Sequence, residues 1–249
     1  GSVVEQDYPF MEVVVVIDGA VDTGIHCMID KISAQGDREF RVETFEVPVG
    51  RVEALNTAIR CAKGDFLALM DADDCSLPGR IRAQIDFLQA NPEVDVVGCS
   101  IEEVFKGGRA QVATAPRTHQ ECMWEFRRRD PVKHATAVFR PSYFAKAGLY
   151  PAERCEDCAL WLAGMKAGCR FVNIPKVGYS IVLDDGFFSR TKDLKWVWPV
   201  FQIRLRIARE MGFRIRGYFW AVMRLGVMLL PVSLLRLAYR LRNTIWRIG

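Results

Sequence analysis

An α/β fold built on a parallel sheet is the class this sequence predicts, on three observations. Short β-branched apolar runs alternate with stretches of helical spacing over roughly the first hundred residues. Acidic residues close two of those runs, and 50% of the 249 residues are hydrophobic, enough to bury a sizeable core in one large domain or two small ones.

The run Met11 to Ile17, MEVVVVI, is bounded by Pro9 and Asp18-Gly19 and predicts a strand buried on both faces. Ile25, Met28, Ile29 and Ile32 then recur at helical spacing and predict a helix with these residues on one side. Phe40 to Val47 reads as a second strand, and Val52 to about Cys61 as a helix using Leu55, Ala58 and Ile59. Phe66 to Met70 is a short third strand ending in Asp71-Ala72-Asp73-Asp74. Pro78 opens a helix through Ile81, Ile85 and Leu88, and Val94 to Cys99 is a fourth strand. Beyond residue 100 the rhythm loosens. Pro141 and Gly148 bracket one short helix, and Glu156 to Ala167, closed by Gly168, forms another with Leu160, Trp161 and Met165 inward. Arg170 to Ile174 and Val177 to Leu183 read as two strands.

Charge divides the chain more sharply than its total of +4 suggests. From Arg190 onward there are 11 Arg and 2 Lys against Asp193 and Glu210, a net +11 that leaves −7 on the rest. A basic tail on an acidic body points to a polyanionic partner. The eight cysteines are expected to be reduced thiols, because the chain is not of the short, disulfide-stapled kind, and the Cys155-x-x-Cys158 pair lacks a second pair at zinc-site spacing.

In open α/β sheets ligands bind beyond the carboxyl ends of the strands, where Asp18 and the Asp71, Asp73, Asp74 cluster fall. Three carboxylates within four residues repel one another, so a divalent cation holding a diphosphate is one expectation; capping of the helix near Pro78 is the other.

The segment VEALNTAIRCAKGDFLALMDADDCSLPGRIRAQIDFL (52–88), together with VIDGAVDTG (16–24) and the pair HATAVFRPSYFAKAGLYP (134–151) and CEDCALWLAGMKAG (155–168), resembles family 2 glycosyltransferases of the GT-A fold over about residues 2–190. VIDGAVDTG departs from the family's V-D-D-G-S-x-D-x-T at Ile17 and Ala20. The resemblance implies a mainly parallel, Rossmann-like sheet flanked by helices and an inverting transfer from a nucleotide sugar, of the UDP type, to a saccharide or lipid-linked acceptor in cell-envelope glycan synthesis. By the same resemblance Asp18 accepts a hydrogen bond from the nucleotide base, Asp71 lies near the ribose, and Asp73 coordinates a Mn or Mg ion bridging the two phosphates. Arg51 would contact the donor, and Glu156 would lie on the acceptor side. Asp157 would be the catalytic base, although acids are also common in the first turn of any helix. His134 would either face the acceptor pocket or be a satisfied structural residue. Relatives begin with a further strand before the segment that matches SVVEQDYP, so the first strand of that fold is expected to be absent here.

The remaining segment, 190–249, separates from the 1–189 transferase domain by composition. Its longest apolar stretch, Leu225 to Leu235, contains Pro231 and would span about 16 Å as a helix, against roughly 30 Å of hydrocarbon. From Leu234 a projection puts Leu234, Leu237, Ala238, Leu241, Ile245 and Ile248 on one face and Arg236, Arg240 and Arg247 on the other, with Tyr218, Phe219, Trp220 and Trp246 as interfacial aromatics. This predicts peripheral attachment to an anionic membrane, on the cytoplasmic face of the inner membrane. The alternative is packing on the body or on another subunit. A nucleic-acid arm would not carry so much aliphatic surface. Two other classes compete with the enzyme: a catalytically silent membrane-bound scaffold, and an aspartate phosphatase, which would leave the Glu156-Asp157 block unexplained.

Overall fold

The computed structural model describes residues 1–34 and 38–245, with the backbone alone described at 190–192 and 240–245. The alternating half of the sequence forms β1 (Glu12–Asp18), α1 (Thr23–Ser33), β2 (Glu39–Phe45), α2 (Arg51–Cys61), the two-residue strands β3 (Leu67–Ala68) and β4 (Cys75–Ser76), α3 (Arg80–Ala90) and β5 (Val96–Phe105). There follow β6 (Ala110–Ala113), α4 (His119–Phe126), β7 (Val138–Phe139), α5 (Pro141–Ala147), α6 (Glu156–Lys166) and β8 (Phe171–Leu183). The chain then turns wholly helical in α7 (Asp185–Lys192), α8 (Leu194–Glu210), α9 (Arg214–Leu229) and α10 (Val232–Ile245).

The α/β class and helix-flanked sheet are as expected, but the strands divide into two sheets. β1 and β2 pair in parallel by themselves, and β3-β7-β5-β8-β4 form the main sheet with β6 beside β5. Its long central ladder, β5 with β8, is parallel, while the short neighbours are antiparallel. The division corrects one expectation and leaves the first helix open. β1 buries only Ile17 fully instead of both faces, because β2 is its one described ladder partner. α1 forms as the spacing predicts but buries no residue, and Ile25 and Met28 on its apolar side are exposed.

The two strands expected around Pro175 are one. Cys99 pairs with Ile174 and Ser100 with Val177, so Pro175 and Lys176 are absorbed as a bulge, and the proline's missing N–H costs no ladder bond. α3 starts at Arg80 with Gly79 in the left-handed region and no side-chain cap, which removes the capping explanation for Asp73 and Asp74. α4 is announced in the sequence by a capping box, Thr118 with Glu121.

Apolar cores lie on both faces of β5 and β8. One gathers α4, α5, α6 and α8 around Trp161, which is fully buried and stacked on Phe139 at 5.7 Å. The other gathers α3, α7 and α10, with Phe188 and Leu235 nearly inaccessible. α8 is part of the body: Val197, Ile203, Ile207 and Ala208 are buried. It turns into α9 at close quarters, since a Cβ on Gly217 would lie 2.7 Å from the Cβ atoms of both Ala208 and Phe213. Apolar surface that stays open is concentrated on α9 and α10, at Ile215, Phe219, Val222, Leu234 and Leu237 among others. The side chains of Arg240, Leu241 and Ile245, and residues 246–249, lie outside the described residues. Among those that are described, no helix is long and apolar enough to cross a membrane.

Candidate active site

The amino end of α2 joins three parts of the chain. Asp18, the last residue of β1, accepts hydrogen bonds from the backbone N–H groups of Val49 (2.6 Å) and Gly50 (3.0 Å). Gly50 has a φ of 90° that a side chain would resist, and a Cβ on Gly19 would meet Pro48 Cγ at 2.7 Å, so this turn needs both glycines. Arg51, the first residue of α2, then reaches two acids. Its Nη2 lies 3.2 Å from Asp71 Oδ1 and its Nε 2.9 Å from Glu156 Oε1. The strand-end acid after β3 and the first acid of α6, distant in sequence, therefore share one guanidinium.

Buried groups fix the acidic loop behind Asp71. Arg80, fully enclosed, donates to the carbonyls of Leu69 (2.9 Å) and Ala135 (3.1 Å) and lies over the Tyr179 ring, while Tyr179 Oη accepts from the Asp71 N–H. Burial, opposed by Tyr179 and reinforced by the charges of Asp73 and Asp71, holds the Asp74 carboxyl above its ordinary range. Asp73 is exposed at the tip. A loop of hard carboxylate oxygens with unbalanced like charge has the donor chemistry that Mg or Mn requires.

His134 lies beneath the Arg51 bridge, buried, with Nε2 2.7 Å from Tyr150 Oη and its ring against Trp161. Burial pushes it down to about 4, so the imidazole is neutral, with Tyr150 as its hydrogen-bond partner. Tyr150 is in turn anchored by Asn56, which donates to its carbonyl and accepts from its N–H.

Asp157 begins α6 beside Glu156, and the backbone leading into it is strained, because Cys155 takes a left-handed φ of 61° that few side chains adopt. Two residues not singled out in the sequence complete its surroundings. Asp130, just before Pro131, receives Arg204 of α8 at 2.6 Å and the Cys158 thiol at 3.3 Å, and Arg204 also reaches Cys158 Sγ at 3.6 Å. Burial, then the negative charge of Asp130, raises Asp157 to about 6, with Glu156 adding and Arg204 opposing. Asp130 is lowered, since Arg204 and Arg224 outweigh its burial. Ligand atoms of Asp130, Asp157 and Cys158 lie within 4.8 Å of one another, close enough for a metal. Burial keeps the Cys158 thiol protonated, however, and Arg204 already supplies the positive charge, so the group behaves as a hydrogen-bonded ion-pair network. Arg204 was detectable in principle as a charged residue on the stripe of α8 that carries Val197, Ile203 and Ile207.

Residues 1–145 match the model of the family described as Glycosyl transferase family 2. The chain is 26% identical over 231 residues to the amylovoran biosynthesis glycosyltransferase AmsE of Erwinia amylovora, covering 92% of this chain and 86% of that protein. It is 24% identical over 225 residues to an Escherichia coli UDP-Gal:alpha-D-GlcNAc-diphosphoundecaprenol beta-1,3-galactosyltransferase, covering 89% and 81% respectively. Among solved structures, the mannosyltransferase PcManGT of Pyrobaculum calidifontis, in complex with GDP-Man and Mn2+, superimposes with a TM-score of 0.65 at 20% identity over 98% of this chain and 76% of that one. Residues 1–349 of TarS from S. aureus superimpose with a TM-score of 0.62 at 20% identity, covering 90% of this chain and 65% of that one.

Proposed function

The chain belongs to glycosyl transferase family 2, a nucleotide-sugar-dependent transferase family, and from that premise we propose that it inverts the anomeric centre of a UDP-sugar onto a lipid-linked saccharide at an anionic membrane surface. The observation that carries this reading is the double ion pair of Arg51, which draws the donor-side acid Asp71 and the acceptor-side acid Glu156 around one cation, next to Asp157. Similarity to a galactosyltransferase whose name specifies a UDP-Gal donor and a diphosphoundecaprenol-linked acceptor supports both substrate classes. The open apolar residues of α9 and α10 support the surface attachment.

In this reading Asp157 accepts the proton of an acceptor hydroxyl as that oxygen attacks the anomeric carbon, and the bond from that carbon to the nucleoside diphosphate breaks on the opposite face. One such displacement inverts the centre. Asp18 and Asp71 take the nucleoside side of the donor, and Asp73 would hold a Mn or Mg ion, which when bound would offset charge on the departing diphosphate. Arg51 adds positive charge between donor and acceptor and fixes Glu156 beside the acceptor. His134, held neutral by burial, sets the floor through Tyr150.

Calorimetry with UDP and Mn is the direct test. We expect binding that needs the metal and weakens at least about tenfold in Asp73→Ala, about 1.4 kcal/mol. UDP binding indifferent to both Mn and Asp73 would overturn the donor assignment and favour the scaffold.

A further inference from the structure

Beyond Asp130 the chain carries a second arrangement of charge that the transfer chemistry does not use. The segment after α4, Arg127 to Asp130, runs alongside one face of α9. Arg128 lies over the Trp220 ring at 6.0 Å, the charge of Arg216 acts on Arg127, and that of Arg224 acts on Asp130. Arg216, Trp220 and Arg224 follow at four-residue spacing, so they share that face. Arg127 is stacked on the exposed ring of Trp124.

Positive charge outnumbers negative in this seam. Glu125 is taken by Arg128 and Arg129, and Asp130 by Arg204. Among the described residues no carboxylate comes within 4.0 Å of Arg127, Arg216 or Arg224. The Nε atoms of Arg127 and Arg224 are buried without a hydrogen-bond partner. Burying guanidinium donors beside like charge is unfavourable unless an anion completes them, and planar Arg forks match phosphate oxygens. Next to this row, Ile215, Phe219 and Val222 form an open apolar stripe on α9, with Ile215 82% exposed. A phosphate ester attached to a hydrocarbon chain would satisfy both.

We infer that the seam between the end of α4 and α9, through Arg127, Arg216 and Arg224, is a site for the diphosphate of a polyprenyl-linked acceptor, with the lipid lying along Ile215, Phe219 and Val222. The inference rests on the proposed lipid-linked acceptor and gives that acceptor a place. Asp130 borders both the seam and Asp157, so a sugar attached to a diphosphate held here would extend toward the base.

The test uses the full chain and neutral phosphatidylcholine vesicles doped with polyprenyl diphosphate, with polyprenol, or with phosphatidylglycerol at matched charge; inorganic diphosphate serves as a soluble competitor. Cosedimentation is expected to favour the polyprenyl diphosphate vesicles and to fall about 100-fold in Arg127→Gln/Arg216→Gln, two lost charge-assisted contacts at about tenfold each. Arg60→Ala/Arg82→Ala, which removes equal charge elsewhere, should bind like the parent chain. The seam variant should melt no lower than the parent, because it relieves like-charge repulsion, and should retain Mn-dependent UDP binding. Failure of this inference thus reads out separately from failure of the donor assignment. Equal binding to phosphatidylglycerol vesicles, unchanged binding by the seam variant, or displacement by inorganic diphosphate as effective as by the lipid would each overturn it.

Discussion

Asp157→Asn is expected to slow sugar transfer by about 10²- to 10⁴-fold while leaving Mn-dependent UDP binding intact, since the amide keeps the shape but cannot take the acceptor proton. The pH behaviour of the parent enzyme gives an independent check. With Asp157 raised to about 6, the rate should fall about tenfold per unit below that point, and the limb should vanish in the variant. Asp130, Glu156 and Arg204 all act on this carboxyl, so the limb reports the cluster. Stability should move the other way. A carboxyl raised on folding holds its proton more tightly in the folded chain, so its contribution to stability declines as pH climbs from its ordinary value of 3.8 through about 6. Asp157→Asn should therefore melt higher than the parent above pH 6, an advantage that shrinks near pH 4. A variant that keeps a tenth of the parent rate would remove Asp157 from the proton step, and a melting difference between variant and parent that does not change with pH would remove the raised carboxyl.

Arg204→Met is expected to cost about 3–5 kcal/mol of stability, because it strands the partly buried Asp130 carboxylate without its partner. Adding Asp130→Asn should recover most of that loss, and denaturant titration of the four proteins in the cycle measures the coupling. The single variant should also displace the acid limb of the transfer rate upward, because Arg204 helps keep Asp157 ionised. Additive losses in the cycle, or an unmoved limb, would make Arg204 an ordinary packing residue.

Trp161 and Met165 were read as core from local spacing, and both are buried in α6. Ile25 and Met28 have the same helical spacing yet face outward, because periodicity says that a face exists and not that anything covers it. Pro175 looked like a boundary between strands, but a bulge absorbs it, a choice decided by the β5 ladder and invisible locally. Asp71 and Glu156 were each legible as strand-end and helix-start acids and Arg51 as a donor contact, whereas the ion pairs that join the three emerged only with the fold. Asp130 and Arg204 were not found, since each is unremarkable in its own segment and they meet across 74 positions of chain.

The tight crossing at Gly217 ties two capacities to one joint. Arg204 descends from one arm of the elbow toward Asp130, and Arg216 and Arg224 sit on the other arm, in the seam proposed for the lipid diphosphate. A bulkier side chain at this vertex would splay both arms at once, so its kinetic signature should be a paired loss of kcat and rise of KM although it touches neither substrate. Trimming the basic tail to obtain a more tractable protein would, by the same mechanics, remove Arg204 and leave Asp130 without its ion-pair partner.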